Sequence, residues 1–262
     1  MRPLQGRPKT AASLHRDLGA LGIERGSTLM VHSSLRSIGW VVGGQQTVVR
    51  SLLDAVGDHG TLVMPAATPL CGDPASWSAP KLPDDWIDEV REHLPLFDPQ
   101  TTPTTLGAIP EAFRTWPGTL RSLHPLESVS ANGTNAELIT REHSLAFSEG
   151  ADGPVGRLHD LDARILLLGV GFNRCTALHF AESLAPKRRV TKVRFPAEID
   201  GRRVWTEVPN VADDNDTHFP MIGQKFLAAG RARQGRIGDA ESVLFAMRDL
   251  VETAVEYFDR VF

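Results

Sequence analysis

The stretch Ile165–Glu182, ILLLGVGFNRCTALHFAE, constrains the fold of this chain more than any other part. Four consecutive aliphatic residues run into Gly169 and Gly171, a few polar residues follow, and an apolar helical segment then carries His179 and Glu182 one turn apart. This order reads as a buried strand, a tight glycine turn and a helix whose opening residues face the strand's carboxyl end. In open α/β sheets that edge is where ligands sit. An imidazole delivered there by a rigid element is an acid–base candidate, because only histidine titrates near neutral pH unaided.

The flanking pattern extends the same architecture. Apolar residues at helical spacing over Thr10–Leu21 precede the strand signal STLMVH at Ser27–His32, which ends in the polar cluster His32-Ser33-Ser34. Gln46–Val56 reads as a second helix and GTLVMP, Gly60–Pro65, as a second strand, so a β-α-β unit and a parallel sheet are expected. Residues 66–105 break the pattern with seven prolines, Trp77, Trp86 and Phe97, as expected of a long irregular insertion that forms a lid or binding wall.

Further on, Gly107–Trp116 and Ala136–Thr140 read as helical and Ser128–Ala131 as a short strand, with a loop at Gly150–Gly156. Lys192–Ile199 and Arg203–Val208 flank Asp200-Gly201, a strong hairpin signal that predicts an antiparallel addition to the sheet. An acidic loop at Asn210–His218, a helix at Gly223–Gly230, a basic loop over 231–238 and a long final helix from Asp239 to Phe262 complete the expectation. The fold class is α/β: one domain over 1–262, with a mostly parallel central sheet, flanking helices, the hairpin and the insertion.

At 262 residues the chain is long enough to bury a sizeable core, and 41% hydrophobic with 23% charged residues is the balance of a globular protein. A net charge of −4 argues against a nucleic-acid-binding surface. Cys71 and Cys175 make no disulfide framework and no C-x-x-C pair, so no metal is expected. No apolar run approaches a membrane span, and no apolar region follows the opening MRPLQGRPKT, so a cytoplasmic protein without a signal peptide is expected.

Three familiar motifs are absent. Gly169-Val-Gly171 lacks the third glycine of a dinucleotide fingerprint, since Arg174 stands there. Ser183 occupies the place where H-E-x-x-H would need its second histidine, which excludes a zincin. No G-x-S-x-G elbow is present, which disfavours a serine hydrolase. From spacing alone, His179 reads either as a satisfied core histidine or as an acid–base group. His32-Ser33-Ser34 reads either as ligand anchoring or as helix capping. His124 precedes Pro125 and is therefore extended or in a turn, and Asp213, Asp214 and Asp216 make a carboxylate-dense loop.

Seven segments in order resemble the aminoglycoside 3-N-acetyltransferase family. They are LMVHSSLRSIG at Leu29–Gly39, GTLVMP at Gly60–Pro65, PTTLGAIPEAFR at Pro103–Arg114, RSLHPLESVSANG at Arg121–Gly133, GPVGRL at Gly153–Leu158, LLLGVGFNRCTALHFAE at Leu166–Glu182 and GRIGDAESVLF at Gly235–Phe245. The resemblance spans about residues 10 to 258. It implies acetyl transfer from acetyl-coenzyme A to the 3-amino group of a 2-deoxystreptamine antibiotic, with the substrates meeting in a cleft of an α/β core, by a monomer or homodimer. The same fold acting on another amine, or binding without catalysis, is the alternative.

By position, the family's T-x-L-H-x-x-E falls on Thr176, Leu178, His179 and Glu182, which makes His179 the expected general base. Asp213 or Asp214 is the expected orienting carboxylate, in competition with Glu182. Thr176, or a backbone N–H of Ser33–Leu35, is expected to donate to the developing oxyanion. The resemblance assigns coenzyme binding to His32, Ser33, Ser34, Leu35 and Arg36 together with Thr104, Thr105 and Gly107. Asp73, His124, Asp213, Asp214 and Asp216 are the expected acceptor-binding residues.

Overall fold

The structure, a computed structural model, describes residues 6–212 and 216–262. Its strands are β1 (Thr28–Ser33), β2 (Thr61–Pro65), β3 (Leu120–Arg121), β4 (Val129–Gly133), β5 (Arg164–Leu168), β6 (Val190–Ile199), β7 (Arg202–Val211), β8 (Arg233–Ile237) and β9 (Ala240–Ala246). The helices are α1 (Ala11–Leu21), α2 (Leu35–Ile38), α3 (Gly44–Val56), α4 (Ile87–His93) and α5 (Ala108–Arg114). They continue with α6 (Ala136–Thr140), α7 (Pro154–Asp160), α8 (Thr176–Leu184), α9 (His218–Ala228) and α10 (Met247–Val261).

Seven strands form one sheet in the order β3-β4-β2-β1-β5-β9-β8. The central trio β2-β1-β5 is parallel, and β4 and β9 pair antiparallel on its two sides. Alternation along the strands separates two cores. Met30, Val63, Ile165 and Leu167 face α6–α10. Leu29, Val31, Leu62, Leu166 and Leu168 face α1, α3 and α5. With both faces covered, the central strands have no polar side to show, hence the unbroken ILLL run.

Local chemistry sets the element ends. Thr10 and Ser13 form a reciprocal capping box that starts α1, and Gly22 ends it in the left-handed conformation. Gly169 has φ +69°, and a Cβ there would sit 2.4 Å from Ser37 Cβ. That turn therefore demands glycine for conformation and close packing, with no pyrophosphate needed to explain it.

Four expectations are corrected. The long final helix begins only at Met247, because Ala240–Ala246 pairs with the side of β5 left open by β1. An unpaired backbone beside a central strand is costlier than a lost helical turn. The basic loop 231–238 contains β8, which completes a hairpin with β9. The loop at Gly150–Gly156 gives way to α7 at Pro154, where proline suits a helix's first turn.

The hairpin β6-β7, turned by Asp200 and Gly201 at positive φ, forms its own two-stranded sheet rather than joining the main one. It is fastened by Phe195, buried with Cys71 and Leu126, and by Arg203, which donates to the carbonyls of Glu92 and Arg91. The insertion is tied down as well. It contains α4, and the Arg121 guanidinium gathers the carbonyls of Ala66 and Thr102 while stacking on Phe97.

Candidate active site

The carboxyl ends of β1, β2 and β5 open into a cleft of about 490 Å³. His32 and Ser33 enter it from β1, Ala67 from beyond β2, and Val170, Asn173 and Arg174 from the glycine turn. Thr105, Leu106 and Gly107 wall it ahead of α5, and Thr176 and His179 reach it from α8.

His179 and Glu182 lie one turn apart on α8, with His179 Nδ1 3.1 Å from Glu182 Oε2. A carboxylate oxygen accepts, so this contact is matched by a proton on Nδ1. Phe219 meets the imidazole edge to face at 4.8 Å between centroids, which fixes the ring from the side. Glu182 is buried, and Arg189 stands 3.7 Å from its other oxygen. Cys175, which precedes this helix, is inert at neutral pH because burial pushes its thiol up to about 12.

Two carboxylates line the cleft that sequence reading did not single out, Glu127 and Glu149. Each is placed by a buried histidine. His124 Nδ1 accepts from the backbone N–H of Leu126 and of Glu127, and its Nε2 donates to the Leu145 carbonyl. His143 Nε2 donates to the Ser148 carbonyl, and the Ser148 hydroxyl donates to Glu149 Oε2 at 3.0 Å. The two imidazoles lie 4.7 Å apart between centroids, tilted by 38°. No short-range pattern marks these glutamates, because loops deliver them and distant histidines anchor those loops.

His124 is placed as a buried anchor, both its nitrogens engaged with backbone. Asp73 is not among the residues that line this cleft; Arg91 clasps it in a two-pronged ion pair and Arg194 adds a bond at 3.1 Å. Within His32–Arg36, only His32 and Ser33 line the cleft. Ser34 caps α2, Leu35 packs on the second core and Arg36 is exposed. Thr104 is turned inward, its hydroxyl donating to the Ala67 carbonyl, whereas Thr105 and Gly107 line the cleft. Asp216 accepts from Asn173 Nδ2 at 3.1 Å, which sets it at the rim. Asp213 and Asp214 lie outside the described residues.

Burial, the largest cause in each case, holds three imidazoles low: His32 and His124 at about 4 and His143 at about 3. For His32 the neighbouring His179 adds to the depression. The unfolded chain takes up these protons near pH 6.5, where the folded state does not. Stability from these groups is therefore complete above about pH 6.5 and drains away as the pH falls toward 4. The thermal midpoint is expected to drop between pH 6.5 and 4.5, with proton uptake on unfolding approaching three. A midpoint that stays flat across this range contradicts neutral burial of these rings.

The sequence model of the aminoglycoside 3-N-acetyltransferase family matches residues 30–259. The chain belongs to this family. Among its relatives, the SPbeta prophage-derived aminoglycoside N(3')-acetyltransferase-like protein YokD of Bacillus subtilis is 38% identical, with 96% of this chain and 93% of that protein aligned. The crystal structure of YokD superposes with a TM-score of 0.94, covering 98% of this chain and 95% of that one, at 37% identity. AAC-IIIb, solved as a binary complex with CoASH, matches at TM-score 0.86 and 33% identity over 98% of both chains. AAC-VIa bound to sisomicin matches at 0.85 and 30% identity, over 97% of this chain and 99% of that one. Among the described residues, no helix is long and apolar enough to cross a membrane.

Proposed function

We propose that this family member transfers the acetyl group of acetyl-coenzyme A to the 3-amino group of a 2-deoxystreptamine aminoglycoside, thereby conferring resistance, with His179 as general base. The observation that carries the reading is the His179–Glu182 pair at the mouth of a cleft lined by Glu127 and Glu149. A neutral Nε2 takes the proton that the amine loses as it attacks the thioester. The carboxylate behind Nδ1 stabilises the imidazolium that forms, as in a triad without its serine. The chemistry needs no covalent acyl-enzyme. The family relation and the CoASH complex of AAC-IIIb support the acetyl donor.

A polycationic acceptor suits a cleft with carboxylates at Glu127 and Glu149 and a third, Asp216, at its rim. The direct test is thiol release from acetyl-coenzyme A across a panel of aminoglycosides and unrelated amines. Release with the aminoglycosides supports the reading, and release only with other amines moves the acceptor to a different class. Within that assay, Glu149→Gln and Glu127→Gln are each expected to raise KM for the aminoglycoside about 10-fold, the value of one charge-assisted hydrogen bond. KM for acetyl-coenzyme A should stay within about twofold. If neither substitution moves the aminoglycoside KM, the acceptor does not bind through these carboxylates.

A further inference from the structure

Glu149 stands on a turn that is held from outside itself. Phe147, two residues before it, has φ +48°, a left-handed conformation that a bulky aromatic residue adopts only under constraint. Two of the constraints come from the end of β7. The Phe147 N–H donates to the Pro209 carbonyl at 3.0 Å, and Asn210 Nδ2 donates to the Ser148 hydroxyl at 3.3 Å. Arg188 adds a third by stacking over the Phe147 ring at 4.6 Å. The direction of the side-chain bonds is fixed. Asn210 Oδ1 accepts from the Val211 N–H, so the amide turns its NH2 to Ser148. A hydroxyl has one proton, and the one on Ser148 goes to Glu149 Oε2, 3.0 Å away. Ser148 and Asn210 are buried, which keeps water from competing for these bonds. Glu149 Oε1 makes no hydrogen bond among the described residues, yet it is not sealed, so it is the oxygen left to the cleft.

We propose that Ser148, oriented by Asn210 of the hairpin, is a positioning residue for acceptor binding: it pins Glu149 Oε2 and thereby presents Oε1 to an ammonium group of the aminoglycoside. The proposal rests on the acceptor reading above. A carboxylate already held in place loses little freedom when its partner arrives, so the contact is worth more than one made by a free side chain. The same reasoning gives the hairpin a task. It pairs with no strand of the main sheet, and through Pro209 and Asn210 it sets the turn that carries an acceptor carboxylate. Substrate selection thus reaches from the cleft wall into an element that contributes no lining residue of its own.

The test follows KM for the aminoglycoside in the thiol-release assay, with folding read from the thermal midpoint and its rise with coenzyme A. Ser148→Ala, which deletes the donor, should raise that KM about tenfold, and Asn210→Ala, which lets the hydroxyl turn, about threefold. Ser148→Cys, a weak donor, and Asn210→Leu take their places if an alanine variant does not fold. Both kcat and KM for acetyl-coenzyme A should stay within about twofold, whereas a merely structural role would move them together with the midpoint. Ser148→Thr keeps the hydroxyl and should return the aminoglycoside KM to within about threefold of native. The contacts act in series, so on a Glu149→Ala background neither alanine substitution should add more than about twofold. If Glu149→Ala raises the aminoglycoside KM and Ser148→Ala leaves it at the native value, the proposal alone is overturned. A Thr variant no better than Ala overturns it too, as does an Asn210 effect undiminished without Glu149. If Glu149→Ala itself leaves that KM unmoved, or native protein releases no thiol with any aminoglycoside, the acceptor reading fails and takes this proposal with it.

Discussion

His179→Ala is expected to lower kcat for acetyl transfer by about 1,000-fold, within the range that a positioned general base contributes. The residue lines the cleft on a helix, its ring is held by Phe219 on one side, and Glu182 fixes its tautomer. Removing it leaves the amine to lose its proton to water at the moment of attack. Coenzyme binding should survive, because the rest of the cleft wall comes from β1, the loop ahead of α5 and the glycine turn. The readout is thiol release at saturating substrates, with coenzyme affinity measured separately by calorimetry. His179→Gln sharpens the test, since it keeps a polar side chain of similar reach without a basic nitrogen, and it should be as slow as alanine. Turnover near the native rate in either variant would remove His179 as the base.

The part of the molecule legible from sequence is the part governed by short-range pattern. The glycine-bounded ILLL run, the β-α-β unit and the helical spacing over Thr10–Leu21 each report their own neighbourhood, and each is found where its pattern points. The hairpin turn at Asp200-Gly201 was equally legible, but its destination was not. Its contacts are long-range: Arg194 bonds Asp73, 121 residues away, and Arg203 bonds the carbonyls of Arg91 and Glu92. β9 was missed for a related reason, because its conformation is decided by the pairing side of β5 and not by local preference. In the cleft, His179 and Glu182 were readable because one helical turn joins them. The ion pairs of Asp73 with Arg91 and Arg194 come from other elements and leave no local signal, and Glu127 and Glu149 were missed because buried histidines elsewhere present them. Local spacing carries tautomer and helix face, whereas charge balance is a property of the assembled fold.

That distinction bears on the carboxylate behind the ring, where Glu182 is the acidic contact described and Asp213 and Asp214 come later in the sequence. Glu182→Gln is expected to lower kcat by about 100-fold to 1,000-fold, with both KM values little changed. The substitution keeps shape and most packing, so the fold should survive. What changes is proton placement. An amide can donate to Nδ1, and it then forces the tautomer that carries its proton on Nε2, the atom that must be free to act. In the serine-protease triad the equivalent carboxylate-to-amide change lowers kcat about 10,000-fold through the wrong tautomer. A smaller loss is expected here because no covalent intermediate has to form and break. The packing of Glu182 suits the role: it is almost fully buried, and Arg189 balances the charge that faces away from the imidazole. Asp213→Asn and Asp214→Asn, assayed alongside, should act mainly on KM for the aminoglycoside. If one of them instead lowers kcat while Glu182→Gln runs at the native rate, the loop carboxylate orients the base and Glu182 only fills the space behind it.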